Sequence, residues 1–181
     1  MEKLKQNKKL IIIAAVVIVL AIVAIVCAVV FSKPSYKKQI SKFEEALKSE
    51  ENMEKYLDKY ADYRAIYAEE KLFDADVDKD DAKAVEKAFK SEYKKAKKKD
   101  YKDDEFVNNV KDQYKTFTSI ATYYEGTEIT VKDIGEVEKF EECPCFKEVK
   151  FTLEMKYNDN SQEVEMSALF YKGKFVTLYS K

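Results

Sequence analysis

The sequence predicts an α+β protein: an N-terminal transmembrane helix, then about three helices packed on a curved antiparallel sheet of four or more strands. Residues 10–31 are continuously apolar, residues 36–121 carry apolar side chains at helical spacing, and residues from 127 onward alternate with the two-residue period of strands. Because the helices precede the strands and do not alternate with them, we expect the helices to pack on one face of the sheet.

The segment Leu10–Phe31 has 22 residues and no charged or strongly polar side chain. A bilayer core needs about 20 apolar helical residues. The alternative is a cleaved signal peptide, whose apolar region would be about 7–15 residues long and followed by a small-residue cleavage site. The sequence Val26-Cys27-Ala28 does not supply that site. We therefore expect residues 1–9 to be a short basic cytoplasmic tail, 10–31 the anchor and 32–38 a linker.

The domain at residues 39–181 is expected outside the cytoplasm, as part of a single-pass protein of the cell membrane. Lys3, Lys5, Lys8 and Lys9 precede the apolar segment, which favours a cytoplasmic N-terminus by the positive-inside rule, although lysines also follow it. Arg64 is the only Arg among 33 basic residues, a usage typical of an AT-rich bacterial genome.

The composition excludes several function classes. The chain has 33 basic and 34 acidic residues, and four of the lysines precede the anchor, so the domain is mildly acidic. A nucleic-acid partner, which normally requires a basic face, is therefore not expected. The chain has no His. This excludes Ser-His-Asp and Cys-His nucleophile pairs and His-ligated metals, and no cofactor is predicted.

Apolar residues at three- and four-residue spacing predict the helices, and Ser, Asn or Asp residues mark where they begin. The first of them places Ile40, Phe43 and Leu47 on one face. The first predicted helix begins at Ser35 or Tyr36, is interrupted at 49–52 with a cap at Ser49 or Asn52, and resumes over Met53–Tyr67. The second is capped by Asp80 or Asp81, and the third begins at Asp103 or Asp104.

Alternating apolar residues predict an antiparallel meander in the last third of the chain. Asn158-Asp159-Asn160-Ser161 and Lys172-Gly173 are turn signals between alternating segments. The predicted strands are Thr127–Val131, Val149–Tyr157, Val164–Phe170 and Phe175–Tyr179.

A family resemblance extends loosely over Tyr36–Lys181. Ile40–Leu47 has the pattern Ile-x-x-Phe-x-x-Ala-Leu, and the chain ends in DNSQEVEMSALFYKGKFVTLYSK. A helix of that pattern before a sheet that finishes in a long hairpin, a Lys-Gly turn and an aromatic last strand resembles small extracytoplasmic domains of the nuclear-transport-factor-two-like (cystatin-like) superfamily. Phe175 stands where such domains often have Trp. The superfamily contains enzymes and binding modules, so the resemblance implies a fold and no catalytic residue.

Cys143-Pro144-Cys145 is the most distinctive tripeptide. Outside the cytoplasm it is a candidate disulfide or redox pair. A bridge between residues only two apart requires a cramped ring, which an extended chain accommodates poorly. Two thiols alone do not complete a structural zinc site. The alternative is a pair of free or bridged cysteines without a chemical role in a strand connection.

A lysine cluster closes the second predicted helix. It is a candidate contact for anionic lipid headgroups or an anionic wall polymer. The alternative is that the ammonium groups complement the negative end of the helix dipole and keep the surface soluble. The cluster consists of Lys94, Lys95, Lys97, Lys98 and Lys99.

Four tyrosines are candidate ligand-facing aromatics: Tyr56, Tyr60 and Tyr63 in a helix and Tyr171 in a strand. A Tyr ring offers a large apolar surface and one polar atom to a ligand. At helical spacing, however, such rings more often belong to the core.

The acidic run from Asp74 to Asp81 suggests calcium, which prefers clustered oxygen ligands. An EF-hand loop that started at Asp74 would need Gly at the position of Lys79. We therefore expect a solvated turn whose last Asp residues cap a helix, and no metal site.

The expected function is that of a membrane-anchored, non-enzymatic binding or interaction module. Its partners would be the lipid bilayer, through residues 10–31, and an envelope ligand or another membrane protein. The alternative is a thiol redox protein or other enzyme that uses Cys143 and Cys145, or carboxylates in a concavity of the sheet.

Overall fold

The computed structural model of the chain describes residues 35–73, 75–121 and 126–180. The chain divides into two units, Met1–Pro34 and Ser35–Lys181. The first unit lies outside the described residues, and so do the predicted anchor at 10–31 and its signal-peptide alternative. No helix among the described residues is both long enough and apolar enough to span a bilayer.

The second unit is α+β, with helices first and an antiparallel sheet after them. Its described residues form six helices and five strands. The helices are α1 (Tyr36–Ala46), α2 (Glu50–Tyr60), α3 (Tyr63–Phe73), α4 (Ala82–Lys95), α5 (Lys98–Tyr101) and α6 (Asp104–Ala121), and the strands are β1 (Glu128–Lys132), β2 (Val137–Lys139), β3 (Lys147–Tyr157), β4 (Asn160–Tyr171) and β5 (Lys174–Ser180).

Short polar side chains begin the helices where the sequence predicted them. The Ser49 hydroxyl accepts the backbone N–H of Asn52 at the start of α2. The Asp81 carboxylate accepts two N–H groups at the start of α4. The Asp103 carboxylate does the same for α6. Each side chain satisfies backbone donors that the first helical turn leaves without an internal partner.

The prediction of an unbroken helix over Met53–Tyr67 is wrong. The chain leaves α2 at Tyr60 and begins α3 at Tyr63. At the break, Ala61 forms a parallel bridge with Phe175 of β5, and the Asp62 N–H donates to the Phe175 carbonyl at 2.9 Å. Pairing with the edge of the sheet thus replaces the helical hydrogen bonds. The expected interruption at 49–52, this break and the short α5 together explain why the described residues form six helices where about three were expected.

The sheet has the strand order β1-β3-β4-β5. The strands β1 and β2 share one edge of β3: β1 pairs with residues 152–156 and β2 with residues 147–149. All these pairings are antiparallel. The β4–β5 hairpin turns at Lys172 and Gly173, both with positive φ. Two-residue hairpin turns of that conformation match the twist of the strands. A bulge between Leu169 and Phe170 shifts the register near this turn.

The inner face of the sheet, defined as the face that carries Phe151 and Phe170, forms the main core. Phe43 of α1 contacts Phe151 with ring centroids 6.4 Å apart. Phe175 of β5 contacts Tyr56 of α2 at 5.7 Å and Tyr114 of α6 at 5.5 Å. Three helices therefore pack on this face.

The outer face carries Leu169 and Tyr171, which alternate with Phe170 along β4. Tyr171 lies 4.9 Å, centroid to centroid, from both Phe89 and Tyr93 of α4. The helix α4 thus covers one end of the outer face. The expectation that the helices pack on one face only is therefore wrong, since the sheet has helices on both sides.

Candidate functional site

An apolar hollow on the sheet, which we name the sheet groove, lies on the inner face and has a volume of about 490 Å³. Pockets that hold small molecules are typically about 300–1,000 Å³ and mostly apolar. The groove lies where α1 and α6 meet the far ends of the strands. Its lining consists of Leu47, Phe117, Ile129, Leu153, Met155, Val164, Met166, Leu178, Tyr179 and Ser180.

The strand register explains why the groove is apolar. Ile129 pairs with Met155, and Leu153 pairs with Val164, so alternate apolar side chains of three strands point to the same side. No charged side chain of the described residues lines the groove. The described helices cover this part of the sheet only in part, because α1 ends at Ala46 and Phe117 of α6 remains 36 % exposed.

The buried carboxylates lie on the outer face. Glu148 accepts hydrogen bonds from the Ser167 hydroxyl at 2.8 Å and the Tyr179 hydroxyl at 2.7 Å. Burial and this bond to Glu148 raise the pKa of Tyr179. Glu154 forms ion pairs with Lys132 at 2.6 Å and Lys156 at 3.2 Å. These two buried carboxylates therefore belong to outer-face networks and do not line the sheet groove.

The cysteine pair lies in a tight turn between β2 and β3. The Phe146 N–H donates to the Cys143 carbonyl at 2.9 Å, which closes a four-residue turn with Pro144 in its second position. Pro favours that position because its fixed φ matches the turn. The turn brings the two sulfur atoms to 3.0 Å as free thiols. The expectation that an extended chain disfavours a disulfide between these cysteines does not apply, because the chain here is a turn and not extended.

The two thiols differ in acidity and exposure. A hydrogen bond from Cys145 lowers the pKa of Cys143, while burial opposes that shift. The same bond and burial raise the pKa of Cys145. Cys143 is 2 % exposed and Cys145 is half-buried. The pair therefore holds one proton preferentially on Cys145.

A second hollow, which we name the thiol cavity, lies between α3, α4 and the cysteine turn and has a volume of about 150 Å³. Burial, with a smaller contribution from Glu70, raises the pKa of Glu69 to about 7. A carboxyl group that titrates near neutral pH can accept and donate protons, so Glu69 is a candidate acid–base group of this cavity. The lining comprises Glu69, Leu72, Val77, Lys79, Val85, Phe140, Glu142, Cys143, Phe146 and Leu169.

The candidate aromatics lie mainly in the core. Tyr56 and Tyr171 are buried. Tyr60 is half-buried against Tyr56, with ring centroids 5.1 Å apart. Tyr63 is half-buried, lines an open polar hollow near Arg64, and donates to Asp58 at 3.4 Å. None of these four residues lines the sheet groove.

The lysine cluster is exposed at the end of α4 and in α5. Lys94 and Lys95 occupy the last turn of α4, where a positive charge complements the helix dipole. Lys95 also forms an ion pair with Glu92 at 2.8 Å. The remaining members, Lys97, Lys98 and Lys99, present their side chains to solvent beside them.

The acidic run does not gather metal ligands in the described part of the chain. Asp74 is not among the described residues, Asp76 and Asp80 are exposed, and Asp81 caps α4. Across the described ranges, no cluster of three or more His, Cys, Asp or Glu residues could hold a metal ion.

The sequence interpretation did not identify the sheet groove or Glu69. The strand alternation correctly marked Leu153, Met155 and Val164 as facing one side, and Leu47 as part of the α1 stripe. No local pattern shows how far a covering helix reaches, so an uncovered stretch of sheet could not be distinguished from core.

In comparisons with known proteins, no family model, no curated protein and no solved structure matches this chain.

Proposed function

We propose that the chain is a single-pass membrane protein, anchored by residues 10–31, whose folded domain binds the acyl chain of a lipid outside the cytoplasm and without catalysis. The sheet groove is the observation that carries the proposal, because it combines a volume of about 490 Å³ with a lining free of charged side chains.

The chemistry of the lining favours an acyl chain. Apolar ligand surface transferred from water into such a groove gains about 25 cal/mol per Å². Ser180 lies at the groove and offers a hydroxyl group for a polar end of the ligand. A groove without a charged side chain favours the uncharged part of a ligand, so an ionised head group would stay outside it, since an unpaired charge is costly to bury. The proposed anchor would keep the domain next to a supply of lipids.

We also propose that the domain is related to the nuclear-transport-factor-two-like superfamily. A helix with the Ile40–Leu47 pattern in front of an antiparallel sheet, and a final hairpin that turns at Lys172-Gly173, support this relation. An apolar groove between the sheet and its helices agrees with a ligand-binding role in such a fold. The fold alone does not name a ligand.

Photocrosslinking tests the proposal. The full chain in lipid nanodiscs is incubated with a diazirine-bearing long-chain fatty acid and irradiated, and the adducts are mapped by mass spectrometry. We expect adducts on peptides that line the sheet groove. Met155→Trp should reduce them at least tenfold, because Met155 is half-buried in the groove and an indole would fill part of it.

Lys156→Trp is the matched control, since Lys156 is the next residue of β3 and its side chain is exposed on the outer face. The chain has no natural Trp, so each variant carries a single indole whose emission reports its surroundings. The emission of Met155→Trp should lie to the blue of that of Lys156→Trp. Groove adducts that persist unchanged in Met155→Trp, or adducts confined to residues 1–34, would contradict acyl-chain binding in the groove.

A further inference from the structure

The turn Cys143–Phe146 holds two thiols in position for a reaction that acyl-chain binding does not use. The Phe146 side chain is fully buried and lies 4.5 Å, centroid to centroid, from Phe89 of α4. The Phe146 N–H bond to Cys143 closes the turn, and Pro144 restricts the backbone between the two cysteines. The sulfur atoms are therefore brought together by the packed core and not by a mobile loop.

The distance between the sulfurs suits a reversible bond. They lie 3.0 Å apart as thiols, and a disulfide bond of about 2.05 Å requires them to approach by only about 1 Å. The residues of the turn are already folded back on each other, so the bridge does not require an extended segment to bend. Oxidation to an intramolecular disulfide is therefore a small movement.

The sulfur–sulfur contact and access to the thiol cavity distinguish the two cysteines. Lys90 favours a thiolate and Glu86 and burial oppose it at both sulfurs, so these effects do not separate them, whereas the bond between the sulfurs lowers the pKa of Cys143 and raises that of Cys145. The thiolate is the nucleophile of thiol–disulfide exchange. Cys143, the one cysteine of the turn that lines the thiol cavity, therefore suits the role of attacking sulfur, and Cys145 suits the role of resolving sulfur.

The thiol cavity sets the size of a reaction partner. Cys143 lines this hollow, and its volume of about 150 Å³ admits a small molecule and not a protein segment. The lining is mainly apolar, with Leu72, Val85 and Leu169 among its residues, and it also contains Glu69, Lys79 and Glu142. A compact, uncharged disulfide fits this environment better than a charged one.

We propose that Cys143 and Cys145 form a redox-active dithiol that exchanges with a low-molecular-weight disulfide. The Cys143 thiolate attacks one sulfur of the disulfide RSSR, so that a Cys143–SR bond forms and one RS⁻ leaves. This RS⁻ takes the Cys145 proton. The Cys145 thiolate then attacks the Cys143 sulfur, the intramolecular disulfide forms, and the second RS⁻ leaves and takes a proton from water. The protein dithiol is oxidised by two electrons, and RSSR is reduced to two RSH.

The test uses the full chain in nanodiscs with Cys27→Ala, so that only Cys143 and Cys145 remain as thiols. The protein is incubated with hydroxyethyl disulfide at neutral pH, quenched in acid, alkylated and analysed as an intact protein by mass spectrometry. We expect a product that has lost two hydrogens and carries no adduct. Cys145→Ser should stop at a mixed disulfide on Cys143, and Cys143→Ser should react at least tenfold more slowly.

The unfolded chain is the matched reference, because it has the same sequence without the turn or the cavity. The native chain should form the intramolecular disulfide faster than the chain in concentrated urea. Thiols that stay unreacted in the native chain but react in urea would overturn the proposal. A native product with mercaptoethanol adducts on both cysteines, and no intramolecular bridge, would also overturn it.

Discussion

Replacement of Phe89 by Ala should weaken the attachment of α4 to the outer face of the sheet. The Phe89 side chain is fully buried, and its ring centroid lies 4.5 Å from Phe146, 4.9 Å from Tyr171 and 6.0 Å from Tyr93. Truncation of a buried Phe to Ala costs about 3–5 kcal/mol in the free energy of unfolding, from lost transfer energy and the cavity that remains. Because a domain typically has about 5–15 kcal/mol in total, this loss is a large share.

A second substitution separates apolar volume from ring geometry. Phe89→Leu keeps most of the buried surface and removes the aromatic contacts, of which the one with Tyr171 is edge to face; an aromatic pair contributes about 0.5–1.5 kcal/mol. We expect Phe89→Leu to lose about 1–2 kcal/mol, less than Phe89→Ala. Phe89→Ala should also speed the alkylation of Cys145, because Phe146 next to it loses the ring that holds it.

Pulse proteolysis of the full chain in mild detergent, over a urea series, measures both variants by the urea concentration at which half of the protein is cut. The control is Phe106→Ala, at a half-buried Phe whose ring contact is Tyr67 at 5.5 Å; it should lose about 1–2 kcal/mol. A loss for Phe89→Ala below about 1 kcal/mol, or no larger than that of Phe106→Ala, would show that α4 does not depend on this cluster.

The remaining predictions use the same assay. Tyr56→Phe should raise the unfolding free energy by about 1 kcal/mol, because the buried Tyr56 hydroxyl has no hydrogen-bond partner among the described residues; a loss of stability would reveal a bond. Arg64→Lys should cost about 1–2 kcal/mol, since Lys cannot both donate to the Lys94 carbonyl at 3.0 Å and stack on Tyr93 at 4.5 Å; an unchanged midpoint would contradict this. Burial raises the pKa of Glu69 from 4.5 to about 7, so its contribution to stability is complete below pH 4.5 and lost as the pH rises through 7. Glu69→Gln should therefore be more stable than the natural chain at pH 8 and similar to it at pH 5, and equal differences at both pH values would refute the assignment.

The parts of the fold that local chemistry determines could be predicted from the sequence. Side-chain alternation located β3, β4 and β5, because strands with one buried face repeat every two residues. The Ser49 and Asp81 caps followed from the need of the first helical turn for acceptors. The short strand β2 was missed, since the three residues Val137–Lys139 are too few to show a period.

Features that depend on distant pairing could not be predicted. The tyrosines of residues 53–67 keep helical spacing across the break between α2 and α3. The signal that ends α2 is the edge of β5, more than 100 residues away, where Phe175 accepts the Asp62 N–H. Asp62 also caps α3 by accepting the N–H groups of Arg64 and Ala65 at 3.1 Å, so its identity was a weak local hint.

The two candidate sites can be perturbed separately because they lie on opposite faces of β4. Met166 lines the sheet groove and Leu169 lines the thiol cavity, and an odd separation along a strand places side chains on opposite faces. Both hollows lie where a helix covers the sheet incompletely, yet they share no lining residue. Met155→Trp should therefore abolish acyl crosslinks without changing the oxidation of Cys143 and Cys145. If it changed both, the two faces would be coupled through the strands, and the groove and the cysteine turn would belong to a single ligand-responsive unit.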